Sequence, residues 1–257
     1  MATTADWIVP DWPSPARVRA ICSTRVGGVS RPPYDSLNLG VHVGDAPEAV
    51  ATNRKIFSEA LGARPVFLNQ VHGCGVVELA ADMPDGTPAD ACIATAPGLA
   101  CTIMVADCLP VLFATMDGAA VAGAHAGWRG LAGEGGHGIL EAVWEQLRQN
   151  HGARPDQVIA WLGPCIGPDA FEVGPEVKAV FEAQDARFAA RFRPHGADKW
   201  LADLPGLARR RLQALGISHI HGNDGSAEWC TVANPSRFFS HRRDHVSGRF
   251  AASVWLA

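Results

Sequence analysis

Three nearly unbroken apolar runs follow one another mid-chain: LACTIMVAD (99–107), LPVLFAT (109–115) and AAVAGAHAG (119–127). A strand with one wet face alternates apolar and polar residues, whereas a strand covered on both faces reads as continuous apolar sequence. These runs, and a fourth at VIAWLG (158–163), therefore predict strands buried on both sides. Such strands require layers above and below them. MDG (116–118) is a turn signal between the second and third runs.

Other stretches fill in the layers. VRAICSTR (18–25) reads as a strand that runs into the Gly/Pro/Ser/Asn-rich loop VGGVSRPPYDSLNLG. DAPEAVATNRKIFSEALG has an N-cap acid, a proline in its first turn and Gly62 at its end, the marks of a helix. VFLNQVH (66–72) and GVVEL (75–79) are expected to pair around Gly73. Leu140, Val143, Trp144 and Leu147 form one stripe of a helix; GPEVKAVFEA is helical. In DLPGLARRRLQALG, Leu204, Leu207, Ala208, Leu212 and Leu215 face inward. RFFSHRRD is expected to end a strand. The fold class is α+β: an N-terminal extension (1–16), then a single domain (17–257) of layered, mixed sheets.

Charge and composition exclude several functions. The formal net charge is −4, and the lone basic cluster, ARRRLQ (208–213), spreads around a helix as a solvated face, so a nucleic-acid partner is not expected. No apolar run reaches the roughly 18 residues that cross a bilayer, and the first residues lack a signal peptide's basic and apolar regions. The seven cysteines form no CxxC pair and no disulfide framework, which points to a cytoplasmic protein. A single compact domain suits a monomer.

Three residues with metal-ligand chemistry sit beside small or turn-forming residues at strand ends: His72, Cys108 and His125. A catalytic zinc takes three protein ligands and leaves a position for water or substrate. The spacing of these three carries no local signature, so by spacing alone two satisfied core histidines and a core cysteine account for them better than a zinc site does. Arg129 in GWRG, Cys165 in the turn GPCIGP and Arg25 in STRVGG sit among glycines or prolines. Each reads as part of a turn; together they offer donors for an oxyanion. Neither a phosphate-binding P-loop nor a dinucleotide fingerprint is present.

The segments STRVGGVSRPPYDSLNLGVHVGD, NQVHG, ADACIAT, ADCLPVLF, GAHAGWRGLAGEGG, LGPCIGPDAFEVGPEV and RFFSHRRDHVSGR, in this order, resemble the YfiH/YlmD family from about residue 17 to the C-terminus. That family was labelled a multicopper polyphenol oxidase (laccase) and is described as a purine nucleoside phosphorylase with adenosine deaminase and methylthioadenosine phosphorylase activities. The resemblance implies a four-layer α/β/β/α sandwich and a zinc held by His72, Cys108 and His125. It implies purine nucleosides and phosphate as partners. Arg25 and Arg129 are expected to hold phosphate, Asn38 and Gln70 to contact substrate, and Asp107 is the carboxylate nearest the triad in sequence. Val105 stands where the family often has Thr, and His245 where a Gly often follows the aspartate; neither is a ligand.

Two other chemistries compete. Laccase copper sites take paired HxH ligands, and this chain has one, HIH (219–221). A metal-free thiolate–imidazole pair of Cys108 and His125 would suit a cysteine hydrolase or amidase acting on cell-wall peptides.

Overall fold

In the computed structural model, which describes residues 6–257, the central apolar runs are strands whose successive side chains enter two different cores. Along β5 (Leu99–Val105), Leu99, Cys101, Ile103 and Val105 face a second sheet. Ala100 and Met104 point the other way, to Phe57 and Leu61 of α1 (Pro47–Leu61). This period of two, apolar on both faces, is the reason the sequence shows no alternation.

β5 lies in a four-stranded sheet of order β1 (Val18–Cys22), β13 (Phe250–Leu256), β5, β2 (Arg64–Phe67). The facing six-stranded sheet runs β12 (His219–Gly222), β8 (Val158–Leu162), β6 (Leu109–Thr115), β7 (Val121–Ala126), β4 (Ala91–Ala94), β3 (Val76–Glu78). Both sheets are mixed: β2–β5, β3–β4 and β8–β12 pair in parallel, the other neighbours antiparallel. The outer face of the six-stranded sheet is covered by α2 (Trp128–Ala132), α3 (Ile139–His151), α4 (Pro175–Glu182) and α5 (Leu204–Ala214). With α1 behind the other sheet, the order of layers is α/β/β/α, the sandwich expected. A small antiparallel sheet, β10 (Phe192–His195), β11 (Lys199–Ala202), β9 (Glu172–Val173), flanks α4. One helical turn, α6 (His241–Asp244), precedes β13. Within residues 6–16, Trp7 is buried against Phe57 and Ile8 bridges Cys22.

Several local expectations change. β2 and β3 do not pair with each other: β2 joins β5 and β3 joins β4, in separate sheets. His72 is therefore in a turn after β2, not at the end of a hairpin strand. β5 and β6 likewise belong to different sheets, so Ala106–Cys108 is a link between layers. RFFSHRRD forms a loop and α6 rather than a strand end, and the last strand begins at Phe250. Ala46 is the N-cap of α1; the preceding Asp45 accepts from Ala46 N, Ser30 Oγ and Asn38 Nδ2. The ARRRLQ stretch is not a solvated face. Arg211 is 4% exposed and donates to the Ala132 and Gly136 carbonyls and to Glu141 and Gln184, tying the end of α2 to α3 and α5.

Candidate metal centre and substrate cavity

His72, Cys108 and His125 meet at one end of the sandwich, with one ligand atom from each lying within 4.8 Å of the others. Each arrives differently. His125 is the penultimate residue of β7, opposite Pro110 of β6, and is buried. Cys108 closes the inter-sheet link, and its Sγ lies 3.7 Å from His72 Nε2. His72 has φ 62°, and Asp107, just before Cys108, has φ 95°. Left-handed backbone is uncommon for non-glycine residues and collects at functional sites. Gly127 is needed beside the cluster: a Cβ there would lie 2.9 Å from Cys108 Sγ and 3.1 Å from His72 Cδ2.

Asp90, in the loop before β4, explains how two of these ligands are held. Its Oδ1 accepts from His72 N at 2.8 Å, and its Oδ2 accepts from Val71 N at 3.2 Å and Gly73 N at 2.7 Å. Three successive N–H groups converge on one carboxylate, a nest that stabilises the turn carrying His72. Oδ1 also lies 2.8 Å from His125 Nδ1. An ionised carboxylate only accepts, so Nδ1–H donates and Nε2 keeps its lone pair for a cation. Asp90 is fully buried. Burial raises its pKa, but the bonds from His125, Gly73 and His72 outweigh that and hold it below the usual carboxylate value.

The donors fit a divalent ion. Two imidazoles and a thiolate are a soft-to-borderline set suited to zinc, and the 3.7 Å S···N separation is close to what tetrahedral Zn–S and Zn–N bonds of about 2.3 and 2.0 Å require. Without an ion the same groups polarise one another. Burial pushes the Cys108 thiol up, but the His125 and His72 imidazoles override it and bring it to about 6. Burial alone would lower His125; the Cys108 thiolate and Asp90 raise it to about 9.

The cluster lies in the wall of a cavity of about 450 Å³. Gln70 and Arg129 line it, as does Asp107. The Gln70 amide is spent on Met104, with Nε2 donating to its carbonyl and Oε1 accepting from its N. Asp107 is likewise committed: Oδ1 accepts from Thr231 Oγ1 at 2.6 Å and Oδ2 from Arg242 N at 2.7 Å. Arg25 is elsewhere, in a small hollow where Asp35 and the Pro235 carbonyl take its donors and its guanidinium covers the Phe239 ring. Asn38 is fully buried and serves its own loop, accepting from Gly40 N and donating to Gly40 O and Asp45. Neither Arg25 nor Asn38 faces the cavity. Cys165 is buried beneath it, its Sγ accepting from Asn223 Nδ2.

The cavity also recruits His42, Met104, Trp128, Phe171, Arg242 and Arg249, none of which the sequence reading had singled out. Arg129, Arg242 and Arg249 have no carboxylate partner among the described residues. Arg129 lies over the Trp128 ring, Arg242 donates to the Glu172 carbonyl, and Arg249 to the Ser247 and Gly248 carbonyls. Three such cations line one cavity with the candidate metal ligands and give it a positive field.

Comparisons with known proteins place this geometry. The family model described as multi-copper polyphenol oxidoreductase laccase matches residues 19–257. A Pseudomonas aeruginosa protein named purine nucleoside phosphorylase is 50% identical over 97% of this chain and 98% of its own. The Escherichia coli protein named purine nucleoside phosphorylase YfiH is 49% identical over the same shares. Among solved structures, a Neisseria meningitidis protein superposes with a TM-score of 0.90 at 43% identity, covering 98% of this chain and 99% of that one. YlmD from Geobacillus stearothermophilus gives 0.88 at 28% identity, covering 100% and 98%. With the whole sandwich and nearly the full length matched, the chain belongs to the YfiH/YlmD family of laccase-labelled proteins.

Proposed function

We propose that the cavity is the active site of a zinc-dependent purine nucleoside phosphorylase that also acts on S-methyl-5′-thioadenosine and deaminates adenosine. The observation that carries this reading is a cluster of three candidate metal ligands sharing one cavity with three arginines that lack acidic partners among the described residues. The names of the relatives support the substrate class. In phosphorolysis a phosphate oxygen bonds to ribose C1′ while the C1′–N9 bond breaks and its electron pair leaves with the purine. Arginines that hold the dianion against C1′ favour that step through charge and orientation. Phe171 and Trp128 add apolar lining to the cavity for the base. Zinc on His72, Cys108 and His125 would supply a Lewis acid with an open position.

Deamination needs a group that moves a proton, and Asp107, with both oxygens engaged, does not suit it. His42 lines the same cavity; burial, then the charges of Arg249 and Arg54, lower its pKa and favour the neutral imidazole. Laccase chemistry is disfavoured because the described residues bring together one cluster of three candidate ligands, too few for four coppers. The seven cysteines are all free thiols, which suits a reducing cytoplasm. Among the described residues no helix is long and apolar enough to cross a membrane.

The test is to load the protein with zinc and supply adenosine, inosine or methylthioadenosine with and without phosphate. Base release should require phosphate and yield a sugar 1-phosphate; release indifferent to phosphate refutes phosphorolysis. Cys108→Ala should lose zinc and turnover together. The thiolate–imidazolium polarisation of Cys108 and His125 favours a second reading, a cysteine hydrolase. Iodoacetamide inactivation that a chelator fails to reproduce would select it.

A further inference from the structure

We propose that Arg249 seats the phosphate, gripping it through the Nε–Nη2 edge of its guanidinium. This inference rests on the phosphorylase reading and adds the residue that anchors the second substrate. Nη1 is occupied: it donates to Ser247 O at 2.8 Å and Gly248 O at 3.0 Å, which fixes the guanidinium plane. Neither Nε nor Nη2 has a partner among the described residues, and the side chain lines the cavity. That free edge is a rigid two-donor fork matched to two oxygens of a phosphate or carboxylate.

The position is built rather than incidental. Arg249 N donates to Asn38 Oδ1 at 2.9 Å, and Asn38 in turn holds Gly40 and Asp45. A Cβ on Gly40 would lie 2.9 Å from Arg249 Cγ, so a glycine there makes room for the arginine's stem. The long motif around Asn38 thus does indirectly what its polar residues do not do by contact: it shapes a loop around a cation. Burial lowers the pKa of Arg249 and the charges of Cys108 and Asp107 oppose that shift, and a guanidinium stays protonated in either case. An anion on the fork would share the cavity with His72, Cys108 and His125. Arg129 and Arg242 are more exposed, at the mouth, where solvent screens them more strongly.

The experiment uses Arg249→Lys and Arg249→Met in the zinc-loaded protein. Initial rates are measured at saturating nucleoside with varied phosphate, and inorganic phosphate binding is measured separately by calorimetry. Hydrogen bonds to charged groups set the scale: the KM for phosphate should rise about 10-fold in Arg249→Lys, which keeps the charge but loses the fork, and about 100-fold in Arg249→Met. The phosphate Kd should move in parallel, with zinc content and nucleoside KM unchanged. Unchanged phosphate KM and Kd in Arg249→Lys, folded as judged by its melting temperature, would overturn the assignment. So would an equal rise in nucleoside KM, which would place the arginine on the other substrate. A wild-type protein that binds phosphate without phosphorolysis, and loses that binding in Arg249→Lys, overturns the phosphorylase reading but keeps the anchor. A wild-type protein that binds no phosphate overturns both.

Discussion

Asp90→Asn tests how the metal centre is preorganised. The carboxylate accepts from four donors, two on each oxygen: His72 N and His125 Nδ1 on Oδ1, Val71 N and Gly73 N on Oδ2. An asparagine has nearly the same shape but only one accepting oxygen. Whichever way the amide turns, two N–H donors face an NH₂ group. If the oxygen stays toward His125, the turn carrying His72 loses Val71 N and Gly73 N; in the other orientation, His125 loses its acceptor. Each donor stranded in a buried site costs about 1–3 kcal/mol, so the variant should lose about 2–6 kcal/mol of stability. For a chain of this size that is a melting temperature lower by at least about 4 °C. Zinc affinity should fall about 10- to 100-fold, the usual effect of removing a carboxylate behind a histidine ligand. Competition with a chromophoric chelator measures the affinity and calorimetry the melting point. Wild-type zinc affinity in Asp90→Asn would refute the claim that this carboxylate orients the ligands.

Three further outcomes are expected. Gly127→Ala places a methyl 2.9 Å from Cys108 Sγ, so zinc affinity should drop at least about 10-fold, the scale of a disturbed ligand shell, with a smaller effect on melting; chelator competition and a thermal scan together check it. Zinc affinity should rise with pH, because His125, raised to about 9, must lose its proton to bind a cation. The slope should be about tenfold per pH unit between 6.5 and 8.5, and steeper below about 6, where Cys108 is also protonated; a flat profile would contradict the polarised pair. Arg25→Lys should leave the phosphate KM unchanged, since its guanidinium faces Asp35 and Pro235 outside the cavity; a rise above about 10-fold, the scale of a lost charged hydrogen bond, would return it to the site.

The sequence announced what local pattern controls. The doubly covered strands and the Leu140–Leu147 stripe were legible because period and apolar continuity lie within a few residues. Pairing across the chain was not: VFLNQVH and GVVEL look like a hairpin, yet each finds a stronger neighbour in a different sheet. His72, Cys108 and His125 stood out by residue type and by their place at the edges of apolar runs. Asp90 did not, since its partners lie 17 to 35 positions away and its local signal is one acid among alanines. The same limit applies to Arg25 and Asn38, which lie outside the cavity. A polar residue in a glycine-rich loop reads alike whether it faces a ligand or satisfies the loop's own peptide groups. Both do the latter, while Arg249, with no local signal, points into the cavity.

The descent of the chain from one sheet to the other at Ala106–Cys108 has a mechanical consequence. His72 follows a strand of one sheet, His125 lies near the end of a strand of the other, and Cys108 is the step between. An ion shared by these three would cross-link the two layers at this end of the sandwich. Occupancy would then add to global stability in proportion to RT ln(1 + [L]/Kd). Metal-depleted protein should open first at this end, and amide exchange at Val71–Gly73 and at the last residues of β7 would report it, while β13 and β5 stay protected.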